Sequence, residues 1–204
     1  MIPALTVVAK MMMMPQVPIA PVMQVDLRQV FPEHALVQKI GREGRLDEGA
    51  VEFLLREAEP LELRLAVASP HALTDAMASG DAFSRAAFRG LPLAKVTGTT
   101  EARADLLLLG AYLSAGRAGG TSPHARSLAE AAQRRAPTSF VTAMFVAMLR
   151  PQVGPGARVC DAARTLLAPI RDPKLVTDIG DKALFAFTEV AYQPEDMCRA
   201  QTGR

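Results

Sequence analysis

The segment EARADLLLLGAYLSAG, residues 101–116, decides the fold of this chain. Its four consecutive leucines, Leu106 to Leu109, put apolar side chains on nearly every side of a helix, because successive residues point about 100° apart. A helix without a polar face has to be surrounded by other elements. The sequence therefore predicts a helix, capped by Thr100, that is packed between neighbours instead of lying on the surface.

A second segment of the same kind follows at residues 138–150, TSFVTAMFVAMLR. Phe140, Met144 and Met148 form one row four residues apart, and the adjacent row is apolar as well. Little polar face remains, so this segment also predicts a buried helix.

The other helices are predicted from capping residues and apolar periodicity. Asp47 caps a helix in which Val51 and Leu54 face inward, and Ser122 opens another that Pro137 closes. In residues 60–68, PLELRLAVA, leucines alternate with polar residues as in a strand, although the neighbouring predicted helices favour a helix.

Three boundaries are predicted from proline and glycine. Gly80 is expected to divide residues 69–90 into two short helices. Asp172 with Pro173 is expected to begin a long last helix, and Pro194 a short tail helix. The whole pattern predicts an all-α fold of roughly eight to ten helices joined by short turns, with no convincing strand pair.

Residues 9–25, AKMMMMPQVPIAPVMQV, are apolar and rich in methionine and proline. The prolines oppose a helix and favour an extended conformation, whereas exposed apolar side chains are costly in water. Three alternatives stay open: a strap on the same chain, an arm that binds a neighbouring subunit, or a disordered start. We predict an extended arm over residues 1–30 and a single helical domain over residues 31–204.

The composition is that of a globular protein, with 50% hydrophobic and 22% charged residues. Cys160 and Cys198 have no metal-ligand or redox spacing, which predicts a reduced intracellular protein, although a disulfide between them remains open. The start lacks the pattern of a signal peptide, and no apolar run is long enough to span a membrane. The expected location is cytoplasmic, with no membrane partner.

Charge is distributed unevenly although the net charge is only +2. The range from Glu33 to Glu62 contains eight acidic and four basic residues. The range from Tyr112 to Arg171 contains eight arginines and only two acidic residues. A basic surface attracts nucleic acid or an acidic protein, but solvated helices rich in arginine have the same composition. Arg126, Arg134 and Arg135 are therefore candidate partner-binding residues.

Leu109 and Gly110 lie near the end of one predicted helix, and Ala125, Ala129, Ala132 and Pro137 lie in and after the next. Through these positions residues 104–137 resemble the tetratricopeptide repeat, in which small residues let two antiparallel helices approach closely and a proline ends the second. The resemblance implies stacked antiparallel helical hairpins, as in a short α-solenoid or an irregular bundle, whose exposed surface binds a peptide or another protein.

No catalytic, cofactor or metal site is predicted, because the three histidines are scattered and no nucleophile lies in a recognisable motif. We therefore favour a noncatalytic interaction module, serving as an adaptor, chaperone-like binder or assembly subunit, over an enzyme. Its partner would be another protein or a second subunit of its own; a basic nucleic-acid-binding protein is the alternative. The apolar partner-binding candidates are Met11, Met12, Met13, Met14, Val17, Ile19 and Val22.

Overall fold

The computed structural model of the chain describes residues 21–117, 122–150 and 159–202. These ranges contain nine α-helices: α1 (Ala35–Glu43), α2 (Glu48–Leu55), α3 (Leu61–Val67), α4 (Ala76–Ala87), α5 (Ala104–Arg117), α6 (Pro123–Arg135), α7 (Phe140–Leu149), α8 (Val159–Arg171) and α9 (Asp181–Thr202). Short 3₁₀ turns lie at Pro21–Met23, Leu27–Val30, Pro70–Ala72 and Leu93–Lys95. The described residues form no strand, which confirms the predicted all-α class.

Helices α5 and α7 lie at the centre, as their sequences predict. All residues from Leu106 to Ala115 in α5 are buried, and so are all ten residues of α7. Helix α5 packs most extensively against α6 and then against α4, and α7 packs against α6 and α8. The neighbouring helices therefore cover α5 and α7, and neither of these two helices has a side that faces water.

The buried N-terminus of α7 obtains hydrogen-bond acceptors from two parts of the chain. The hydroxyl of Ser139 accepts the Thr142 amide at 3.1 Å, and the carboxylate of Asp178 accepts the Val141 amide at 3.0 Å. The first amides of a helix have no partner within the helix, so a buried terminus needs acceptors of this kind.

The predicted start of the last helix is wrong. Helix α9 begins at Asp181. The segment that follows Asp172 is not helical and contacts the residues at the start of α7 through a parallel bridge between Val176 and Ser139. The amide of Val176 donates to the Thr138 carbonyl at 2.7 Å, and its carbonyl accepts from Phe140 at 3.0 Å. The Phe140 amide at the start of α7 thus has an acceptor, and the backbone of Val176 is used in these bonds instead of in a helix.

Two predicted interruptions are also wrong. Helix α4 continues through Gly80, where an added Cβ would lie 2.9 Å from a methyl group of buried Leu93; the glycine permits close packing instead of breaking the helix. Pro194 lies inside α9 and does not begin a separate tail helix.

Two predicted caps are confirmed, whereas Thr100 does not cap α5, which begins at Ala104. Asp47 accepts the Ala50 amide at 2.8 Å and caps α2, and Ser122 accepts the Ala125 amide at 3.2 Å and caps α6. The ambiguous segment 60–68 contains α3, so the helical alternative is the correct one.

The helical body includes residues that the sequence analysis assigned to the arm. Val22, Val25 and Leu27 all belong to the hydrophobic core. The body therefore reaches back at least to residue 21, and residues 1–20 of the arm predicted over residues 1–30 lie outside the described residues.

A buried arginine joins α3 to α5. Arg64 is 3% exposed and donates to Asp105 at 2.6 Å and to the Leu54 carbonyl at 3.3 Å. Arg103 donates to the same carboxylate at 2.8 Å and to the Leu55 carbonyl at 3.2 Å. The two arginines thus satisfy carbonyls at the C-terminal end of α2 as well as Asp105. Burial acts to raise the pKa of Asp105, but the hydrogen bonds from both arginines outweigh it, so the pKa is lowered.

The two cysteines form a disulfide. Cys160 on α8 and Cys198 on α9 are joined, with their Cα atoms 5.0 Å apart. Reduced thiols were predicted because the two cysteines have no metal-ligand or redox spacing, with a disulfide left open; their separation of 38 residues does not indicate which helix faces come together. In the described ranges, no helix has both the length and the apolar character required to cross a membrane.

Replacing Asp105 by Asn should lower the free energy of unfolding at neutral pH by about 3 to 5 kcal/mol, because Arg64 is left buried without a counter-charge. The lowered pKa means that the carboxylate stabilises the fold above its ordinary value of 3.8 and ceases to do so as pH falls through the folded-state value. The difference between wild type and variant in urea unfolding should therefore shrink below about pH 3.8. Asp161→Asn, in an exposed pair with Arg164, is the control and should cost less than about 1 kcal/mol.

Cys198→Ser should lower the free energy of unfolding by about 2 to 4 kcal/mol, because an unfolded chain without the cross-link gains conformational entropy. A reductant should destabilise the wild type similarly in urea titrations and leave the variant unchanged. Two free thiols in protein purified without reductant and then denatured would contradict the pairing.

Candidate functional site

A groove of about 700 Å³ lies between the first described segment and the last helix. Residues 24–32 form one wall and residues 181–193 of α9 form the other; we call this cavity the α9 groove. The helical wall is about 18 Å long at 1.5 Å per residue. The groove thus joins residues that lie some 150 positions apart in the sequence.

A buried tyrosine holds the first wall in place. The hydroxyl of Tyr112 on α5 donates to the Val25 carbonyl at 3.2 Å. Its ring packs edge-on against Phe145 of α7, with 5.4 Å between the ring centroids. Burial raises the pKa of Tyr112, so the phenol stays protonated and remains a donor at ordinary pH. The position of the first wall therefore depends on both central helices.

The carboxylate of Asp26 on this wall is already paired. Arg28 donates to both of its oxygens at 2.8 Å, and the Arg28 amide adds a bond of 3.2 Å. Burial acts to raise the pKa of Asp26, but the bonds from Arg28 lower it below the ordinary value. This pair shapes the 3₁₀ turn Leu27–Val30 and leaves little charge for a ligand.

The second wall is the outer face of α9. Ala183, Phe187 and Val190 belong to the core and form an apolar stripe along the helix. Phe185 lies off that stripe and is 68% exposed. Asp181, Phe185, Glu189 and Gln193 recur every four residues and so form a row along the groove.

The three charged side chains of α9 that line the groove have no ion-pair partner among the described residues. Asp181, Lys182 and Glu189 line the groove, and none of them forms an ion pair within the described ranges. Two carboxylates and one ammonium group therefore surround the exposed ring of Phe185. This half of the groove carries a small negative excess around an apolar centre.

The groove combines an apolar surface with polar edges. Its apolar lining comes from both walls: Val25, Val30, Pro32, Phe185, Ala186 and Val190. None of the described residues that line it is a histidine, cysteine, serine or threonine. Among the residues that the structure describes, no group of three or more His, Cys, Asp or Glu side chains is placed to hold a metal ion. The arrangement suits noncovalent binding of an apolar segment.

The predicted apolar binding residues are mostly outside the described part of the chain. This applies to Met11 through Met14 and to Val17 and Ile19. Val22 is described and is fully buried in the core of its own chain.

The three candidate arginines all lie on α6 and have different surroundings. Arg126 pairs with Glu130 at 2.8 Å. Arg135 donates to the carbonyls of Thr100 at 2.9 Å and Ala131 at 3.1 Å, so it ties a loop to the end of the helix. Arg134 is exposed on the same turn. Two of the three side chains are thus held by contacts within the chain.

No known protein family, curated protein or solved structure matches this chain.

Sequence reasoning did not identify the α9 groove. One available signal was Phe185, an aromatic residue off the apolar stripe of α9 and between the charged residues Lys182 and Glu189. The opposite wall gave no such signal, because Gln24 to Pro32 were assigned to the arm or to the start of the first helix.

Replacing Tyr112 by Phe should leave the Val25 carbonyl without its donor and lower the free energy of unfolding by about 1 to 3 kcal/mol. Amide hydrogen exchange in residues 24–32 should become faster than in the wild type. Tyr192→Phe, at an exposed position on α9, is the matched control and should leave both measurements unchanged. Unchanged exchange in Tyr112→Phe would show that the bond does not hold the wall.

Proposed function

We propose that this protein is a noncatalytic interaction module, acting as an adaptor, chaperone-like binder or assembly subunit, that binds a protein segment in the α9 groove. The observation that carries the proposal is the 68% exposure of Phe185 within a concave, partly apolar surface. A single exposed apolar residue is ordinary on a protein surface, but one inside a groove has neighbours against which a ligand can pack.

The energetics of Phe185 support the proposal. Complete burial of a phenylalanine side chain gains about 1.5 to 3 kcal/mol. Aromatic side chains in desolvated pockets often contribute most of the binding energy of an interface. Val30 and Ala186, which are half-buried and line the same groove, offer further apolar surface, and Asp181 and Glu189 favour a ligand that carries a cationic group.

The proposal extends to the arrangement of the helices. It treats α5 with α6, and α8 with α9, as stacked antiparallel hairpins, because these are the two most extensively packed pairs in the described ranges. The first pair contains the segment that resembles a tetratricopeptide repeat. In this arrangement the second hairpin presents the α9 groove to a partner.

Affinity capture from the native cell, quantified by mass spectrometry, tests the role of the groove. Phe185→Ser should lower the recovery of specific partners at least about tenfold, equivalent to 1.4 kcal/mol or more, because it removes the apolar anchor. Met77→Ser is the matched control, since Met77 is 57% exposed on α4 and does not line the groove. Identical captured proteins for the wild type and both variants would overturn the proposal.

A further inference from the structure

We propose that residues 11–20 of the same chain occupy the α9 groove and that a partner has to displace them. The inference rests on the proposed function, because it takes the same groove as the binding surface. It adds an internal competitor that covers Phe185 when no partner is bound.

The position of the first described residues brings this segment close to the groove. Pro21 is buried, and the first wall begins three residues later at Gln24. Ala20 is thus four residues from Gln24, and its Cα lies no more than about 15 Å from that of Gln24, at 3.8 Å per residue. The segment that precedes Pro21 therefore starts within reach of the groove.

The length of the segment matches the groove. Ten residues in an extended polyproline conformation span about 31 Å, whereas the α9 wall is about 18 Å long. The difference leaves enough chain for a turn between Pro21 and the groove. Pro15 and Pro18 oppose a helix, and an extended segment occupies a narrow groove with less bulk than a helix does.

The chemistry of the segment complements the groove. Residues 11–20 carry no charge, and Met11 to Met14, Val17 and Ile19 provide apolar side chains for the ring of Phe185. Lys10 is the only charged side chain among residues 1–25. It lies at the end of the segment, where Asp181 or Glu189 can serve as its counter-charge.

Covalent connection favours the same chain over a second copy. A short flexible connection gives the segment an effective concentration in the millimolar range, and a second copy at micromolar concentration competes poorly with it. The segment of the same chain should therefore fill the groove unless a partner binds more tightly.

Photo-crosslinking in the full-length protein tests the proposal. A benzoylphenylalanine replaces Met13 in one variant and Ile19 in another, each mixed in equal amounts with ¹⁵N-labelled copies of itself before irradiation. After reduction of the disulfide, trypsin yields peptides 11–28 and 183–199, because it cleaves after Lys10, Arg28, Lys182 and Arg199. The expected product is a crosslink between these two peptides in which both are ¹⁵N-labelled or both are unlabelled. Phe185→Ser should lower its yield at least about threefold, and a photoreactive group at Met77 should give no crosslink to α9.

The other outcomes overturn the proposal in different ways. Mixed isotope labels in the crosslinked peptides would show that the segment binds a second copy. Absence of this crosslink in both variants, or crosslinks only to other helices, would show that another surface holds residues 11–20. If partner capture still depended on Phe185, the proposed function would stand while this inference failed.

Discussion

A helix that is apolar on every side is stable in water only when other elements cover all of it, and this chain contains two such helices, α5 and α7. Their burial demands more than apolar contacts, because the amides at the start of α7 also lose water. Asp178 provides one acceptor although it lies 37 residues beyond Val141, and Val176 adds a carbonyl next to it. The non-helical segment 172–180 thus supplies acceptors for burying α7, and α9 begins only after it.

The same constraint positions the α9 groove. Tyr112 belongs to the buried part of α5, and its hydroxyl reaches the Val25 carbonyl on the first wall. The second wall is held from its other side, because Phe187 of α9 packs near Phe145, with 5.9 Å between the ring centroids. Phe145 also contacts Tyr112, so the two walls meet the core at one aromatic cluster. The disulfide between α8 and α9 adds a covalent restraint beyond the groove. Changes in central packing should consequently alter the spacing of the walls.

The sequence was sufficient for the fold class and for several helix starts, because periodicity and capping are local properties. Asp47 and Ser122 are caps as predicted, and the leucine run of α5 is buried as predicted. The failures share a physical cause. Gly80 was predicted to break a helix, because its contact with Leu93, which lies outside that helix, cannot be read from the local sequence. The predicted start of α9 was wrong because Val176 forms hydrogen bonds at the start of α7, far away in the sequence. The disulfide and the groove are likewise made by residues far apart in sequence, so no local pattern specifies them.

The exposure of Phe185 has a cost that the fold does not require. The buried stripe of α9 is complete without it, since Ala183, Phe187 and Val190 already cover the core. A polar residue at position 185 would leave this packing unchanged and would not present an aromatic ring to water. The proposed contact with another segment would account for a phenylalanine between Lys182 and Glu189. Asp181 and Glu189, which form no ion pair within the described ranges, line the same groove and would meet a bound segment that has a cationic end.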